Sequence, residues 1–93
     1  MTISRHRAEH SLKQKGFVQD NKEHRRFYLY VDGLKTTVRT YTSHGGREID
    51  DSLLSLMRRE LRLQTNRQAR DLLICPMTGE SYVQWLREQG VLR

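Results

Sequence analysis

Apolar positions recur along this 93-residue chain at two spacings, and each spacing predicts a kind of element. From Phe27 to Tyr41 they alternate. Phe27, Leu29 and Val31 fall on one face of a strand, with Tyr28 and Tyr30 on the other. Asp32-Gly33 then interrupts the run, and this dipeptide suits a two-residue type I′ turn, whose central residues both need positive φ. In the partner strand Thr36, Val38 and Thr40 share a face opposite Thr37, Arg39 and Tyr41. A β-hairpin follows, preceded by a short strand from Phe17 and a polar, turn-like Asp20-Asn21-Lys22-Glu23.

Elsewhere the spacing is helical. Ser4 caps a helix over 5–15 with Ala8 and Leu12 inward, and Gly16 sits where a left-handed residue ends it. Gly45-Gly46 breaks the chain after the hairpin. Asp50 or Asp51 then caps a helix over about 51–62, with Leu53, Leu56, Met57 and Leu61 facing the core. Arg58, Arg59 and Arg62 fall on its outer side. Thr65-Asn66-Arg67-Gln68 reads as a capping box for a third helix, which ends before Pro76. Thr78 caps a fourth, where Tyr82, Trp85 and Leu86 form an apolar stripe and Gly90 closes it.

These elements predict one α+β domain spanning 1–93. An α-β-β-β-α core over 1–64 carries a helical hairpin, 65–93, packed on it. Hydrophobic content is 35% and charged content 30%, so the core is modest and the surface heavily charged. The lone cysteine, Cys75, excludes an internal disulfide and a Cys-based zinc site. No run is long and apolar enough for a membrane span, and the first residues lack the apolar core of a secretion signal. The expectation is a cytoplasmic protein with no membrane partner and no cofactor.

Charge adds direction. Residues 1–47 hold ten Lys and Arg against four acids, whereas 48–93 are balanced at seven of each, so the whole excess of +6 lies in the first half. Clustered cations of this kind suit a polyanion such as RNA, because phosphate neutralisation releases counterions. They also serve solubility.

Within that half, His24 lies at the start of the hairpin's first strand and is followed directly by Arg25 and Arg26. A neutral imidazole near pH 7 can take a proton from a ribose 2′-hydroxyl or deliver one to a departing oxygen. Neighbouring guanidiniums can hold the phosphate and oppose its growing charge. The same residues also read as a half-exposed strand histidine beside surface arginines. His44-Gly45-Gly46-Arg47 could bring backbone amides to a phosphate near a helix start, or simply connect two elements. The candidate RNA contacts are Lys13, Lys15, Lys22, Arg25, Arg26, Lys35, Arg39, His44 and Arg47, with His24 as the candidate catalytic residue. His6 and His10 stand one helical turn apart with Glu9 between them, but two ligands are not a metal site, and no metal is expected.

The element order, with basic residues on the early elements, looks like the double-stranded-RNA-binding architecture. More specifically, Lys13-Gln14-Lys15-Gly16-Phe17, His24, Asp32-Gly33 and His44-Gly45-Gly46-Arg47-Glu48-Ile49, followed by a leucine-rich helix, resemble the HicA family of toxins. The resemblance covers about residues 12–64. It implies a toxin of a toxin–antitoxin system, an endoribonuclease that cleaves mRNA with a strand histidine, here His24, and is neutralised by a HicB-like antitoxin. Two other readings stay open on the same scaffold. One is a non-catalytic nucleic-acid-binding module, the other a protein-interaction module with an acidic partner.

Overall fold

A computed structural model of the chain describes residues 3–20, 26–42, 48–74 and 76–92. Its elements in chain order are β1 (Ile3–Ser4), α1 (Arg5–Gln14), β2 (Phe17–Asp20), β3 (Arg26–Val31), β4 (Leu34–Tyr41), β5 (Glu48–Ile49), α2 (Asp51–Glu60), α3 (Asn66–Ile74) and α4 (Gly79–Glu88). The architecture is a mixed α+β domain in which a three-stranded antiparallel sheet, ordered β2-β3-β4, packs one face against helices.

The local signals act as the sequence predicts. Ser4, Asp50, Thr65 and Thr78 each accept a backbone N–H of the turn they open, and Gln68 returns a bond to the Thr65 N–H, completing the capping box. Asp32 and Gly33 both have positive φ, 54° and 79°, so the hairpin closes through the expected tight turn. Phe17, Phe27, Leu29 and Val38 are buried on the sheet's inner face, together with Ala8 and Leu12 of α1.

Four features depart from expectation. First, β1 pairs with β5 through Ile3↔Ile49 and Ser4↔Glu48, a bridge too short to leave a periodic trace in sequence. Second, Leu54 is buried on α2 while Leu56 is 42% exposed. Leu54, Met57 and Leu61 share the inward stripe, and Leu56 lies about 100° around the helix from Met57. Third, α2 stops at Glu60, and Arg62 takes the left-handed C′ position at φ 65°. Fourth, the two C-terminal helices do not pair chiefly with one another. α3 packs on α1 and α2. α4 reaches the core through Tyr82, which is fully buried, stacks on Phe17 at 6.0 Å between centroids, and donates a 2.6 Å hydrogen bond to the Leu61 carbonyl.

The start of α4 is seated tightly. A Cβ at Gly79 would come within 3.0 Å of Lys15 Cα and 3.1 Å of the Lys15 carbonyl oxygen, and neither backbone atom can rotate aside. Gly79→Ala is therefore expected to destabilise the domain by about 1–3 kcal/mol, the usual cost of overpacking. A denaturant midpoint equal to that of the parent would contradict this seating.

No helix among the described residues is long and apolar enough to cross a membrane.

Candidate nucleic-acid interface

The outer face of the sheet is set by strand register. Phe17 opposes Leu29, and Gln19 opposes Phe27, so the intervening pairs Val18–Tyr28 and Asp20–Arg26 point the other way. Across the hairpin, Arg26 opposes Tyr41, Tyr28 opposes Arg39, and Tyr30 opposes Lys35. Between Tyr28 and Tyr30 the ladder is irregular, with β4 running two residues longer than β3 over that stretch. An insertion of two keeps the parity of both strands, whereas an insertion of one would have turned half of β4 inside out. The Thr36 hydroxyl fills the gap. It donates to the Leu29 carbonyl at 2.8 Å and accepts the Val38 N–H at 3.2 Å.

The result is a face with no helix over it among the described residues, on which aromatic rings and cations interleave. Tyr28, Tyr30 and Tyr41 are half-buried, while Lys35 and Arg39 are exposed. The Lys35 ammonium lies 3.9 Å from the centre of the Tyr28 ring, and the Arg26 guanidinium carbon lies 5.1 Å from that of Tyr41. At an exposed site such a contact is worth about 0.5–1 kcal/mol, which biases Lys35 toward the Tyr28 ring, whereas Arg26 is half-buried with its Nε enclosed. Asp20 is the one carboxylate the register brings to this face beside Arg26, among the described residues. The surface can therefore offer π-faces for stacking and positive charge for phosphates at the same place.

Of the candidate RNA contacts, this face brings together Arg26, Lys35 and Arg39. Lys13 is exposed on the last turn of α1, across the sheet from it, beside a small cavity of about 110 Å³ shared with His6, Glu9 and His10. Lys15 turns inward. It is 7% exposed, and its ammonium donates to the Leu72 carbonyl and, at 3.5 Å, to that of Asp71. The Ser11 hydroxyl donates to the same Leu72 oxygen at 2.9 Å. Lys15 thus places its charge against the carbonyl end of α3, where a helix favours cations. Its charge is used in packing α1 on α3, so it is no surface contact. Lys22, His24, Arg25, His44 and Arg47 lie outside the described residues.

Among the described residues no group of three or more His, Cys, Asp or Glu side chains could hold a metal ion. Glu9 is instead buried and accepts the Thr42 hydroxyl at 2.5 Å, tying α1 to the end of β4.

Sequence alternation alone sets Tyr28 and Tyr30 away from the core. The contribution of α2 is not legible in this way. Arg59 and Arg62 come beside Arg39 and Tyr41 only because α2 packs along β4, the edge strand.

Comparison with protein-family models, with curated proteins and with solved structures gave no match in any of the three.

Proposed function

We propose that the protein binds RNA on the open face of its sheet and, through His24, cleaves it without a metal ion, as a HicA-like toxin held in check by a HicB-like antitoxin. The observation that carries the binding half is the interleaving of Tyr28, Tyr30 and Tyr41 with Arg26, Lys35 and Arg39 on an uncovered face. Unstacked bases lie down on tyrosine rings in a sequence-tolerant way, and the flanking cations neutralise the phosphates between them. Single-stranded RNA is therefore the favoured substrate, with modest sequence preference.

The catalytic half rests on the HicA resemblance and on elementary chemistry. The His24 imidazole takes the proton of a 2′-hydroxyl as its oxygen attacks the adjacent phosphorus, and the 5′-oxygen leaves with a proton returned to it. Arg25 and Arg26 oppose the charge that builds on the phosphoryl oxygens. The second reading is an RNA-binding module without turnover, which the rings and cations of the open face support equally, since they bear on binding alone.

Fluorescence anisotropy with a single-stranded RNA oligonucleotide, in the His24→Ala background so that the RNA stays intact, tests the binding half. Three phosphate contacts predict that log affinity falls with log salt at a slope of about −2. A Tyr28→Ala/Tyr41→Ala variant is expected to bind at least roughly tenfold more weakly, since each stacked base is worth about 1–3 kcal/mol. Affinity indifferent to salt, or unchanged in the double variant, would remove the sheet face as the RNA site.

A further inference from the structure

Beside the open face, β4 and α2 enclose a cleft of about 340 Å³ lined by Thr37, Arg39, Tyr41, Arg59, Glu60 and Arg62. Three of the six are arginines. The single carboxylate among them, Glu60, accepts the Thr40 hydroxyl at 2.9 Å, which draws one of its oxygens toward the strand. Arg39 and Tyr41 belong to the cleft and the open face alike, so the two surfaces are continuous.

Arg62 supplies an independent observation. It occupies the C′ position of α2, donating to the Arg59 carbonyl at 3.1 Å, and the next residue, Leu63, donates to that of Arg58 at 2.9 Å. That pair of bonds is the Schellman closure, which favours glycine because its C′ residue is left-handed. The chain follows the preference at the ends of α1 and α4, with Gly16 at φ 100° and Gly90 at φ 78°. At the end of α2 it instead holds an arginine at φ 65°, a conformation that costs any residue with a Cβ and costs glycine nothing. Conformational cost accepted at one helix end, where the side chain lines a cationic cleft, points to a use for that side chain.

We propose that this cleft binds a backbone phosphodiester of the RNA strand as it leaves the sheet over the β4 edge, with Arg39, Arg59 and Arg62 as its guanidinium ligands. The proposal rests on the RNA-binding reading above. Guanidinium forks match phosphate oxygens in geometry, and three of them against one engaged carboxylate leave the cleft strongly anion-selecting. The strand then lies with bases on Tyr28 and Tyr41 and a phosphate beyond them, so the cleft fixes the direction in which RNA crosses the sheet.

The test uses an Arg59→Ala/Arg62→Gly variant of the full chain, since glycine restores the residue type that the left-handed position favours. Variant and parent both carry His24→Ala so that the RNA stays intact. Anisotropy titrations are run over a salt series with several single-stranded sequences, each with a 5′-hydroxyl and with a 5′-phosphate. The expected result is a loss of roughly 5- to 30-fold that is similar for every sequence and either 5′ end, with the salt slope shallower by about one contact. The melting temperature of the single Arg62→Gly variant should match or exceed the parent's, and Arg59→Ala alone should show part of the same slope change. Unchanged affinity and slope, with the parent still binding RNA, would overturn the cleft and leave the sheet face standing. A loss confined to 5′-phosphorylated RNA would overturn the backbone assignment in favour of a terminal phosphate. Failure of the parent to bind RNA at all would overturn both.

Discussion

His24→Ala is expected to slow RNA cleavage in excess EDTA by roughly 10²- to 10⁴-fold, the usual contribution of a positioned general acid–base. Binding should change far less. The binding contacts proposed for the open face run from Arg26 to Tyr41, so a purely catalytic loss would appear in the rate at saturating RNA. His24→Gln, which keeps a polar side chain but cannot shuttle a proton near neutral pH, should fall with alanine. Chelator-resistant cleavage that survives both changes would end the role of His24. Binding without cleavage by the parent would favour the non-catalytic module on the same face.

The second large effect concerns the fold. Tyr82→Ala removes a fully buried ring, its stacking on Phe17 and its hydrogen bond to the Leu61 carbonyl, and is expected to cost about 3–5 kcal/mol. A domain of this size has only about 5–14 kcal/mol in total, so urea unfolding should begin at much lower concentration. Tyr82→Phe isolates the hydroxyl and should cost about 1–2 kcal/mol, because the Leu61 carbonyl at the end of α2 loses its donor. The pH dependence gives a separate signature. Burial pushes the Tyr82 phenol well above its ordinary value of 10.0, and the positive charge of Arg62 offsets only part of that. The folded state therefore holds this proton more tightly than the unfolded state. Its contribution is complete below about pH 10 and is lost as pH rises above it. Tyr82→Phe should flatten the alkaline limb of the stability profile. An alkaline limb identical in parent and variant would mean that another group governs it.

Much of this fold was legible because its signals are local. The caps at Ser4, Asp50, Thr65 and Thr78 and the turn at Asp32-Gly33 depend on residues within one turn of each other, and each forms as predicted. What sequence hid depends on contacts between distant segments. The Ile3–Ile49 bridge has no period. Lys15 looks like one more surface cation until α3 brings the Leu72 carbonyl to it. Leu56 and Leu54 both fit a leucine-rich helix, and only the side on which α2 meets the sheet decides between them.

The candidate site divides in the same way. Period-two alternation across the hairpin marks Tyr28, Tyr30, Arg39 and Tyr41 as outward, and the even-numbered offset in β4 preserves that parity. The arginines of α2 could not be assigned to the same surface from sequence, since helical spacing shows which side of α2 they occupy but not what stands opposite. His24, to which the proposed cleavage is assigned, lies outside the described residues.

The most direct measurement is a backbone amide chemical-shift titration of the full chain with a single-stranded RNA oligonucleotide, using the His24→Ala variant so that the RNA stays intact. RNA binding on the open face predicts that the largest shifts fall on Arg26, Tyr28, Tyr30, Lys35, Arg39 and Tyr41, with α1 and α3 little changed. Shifts centred on α1 and α3, or none at saturating RNA, would contradict it.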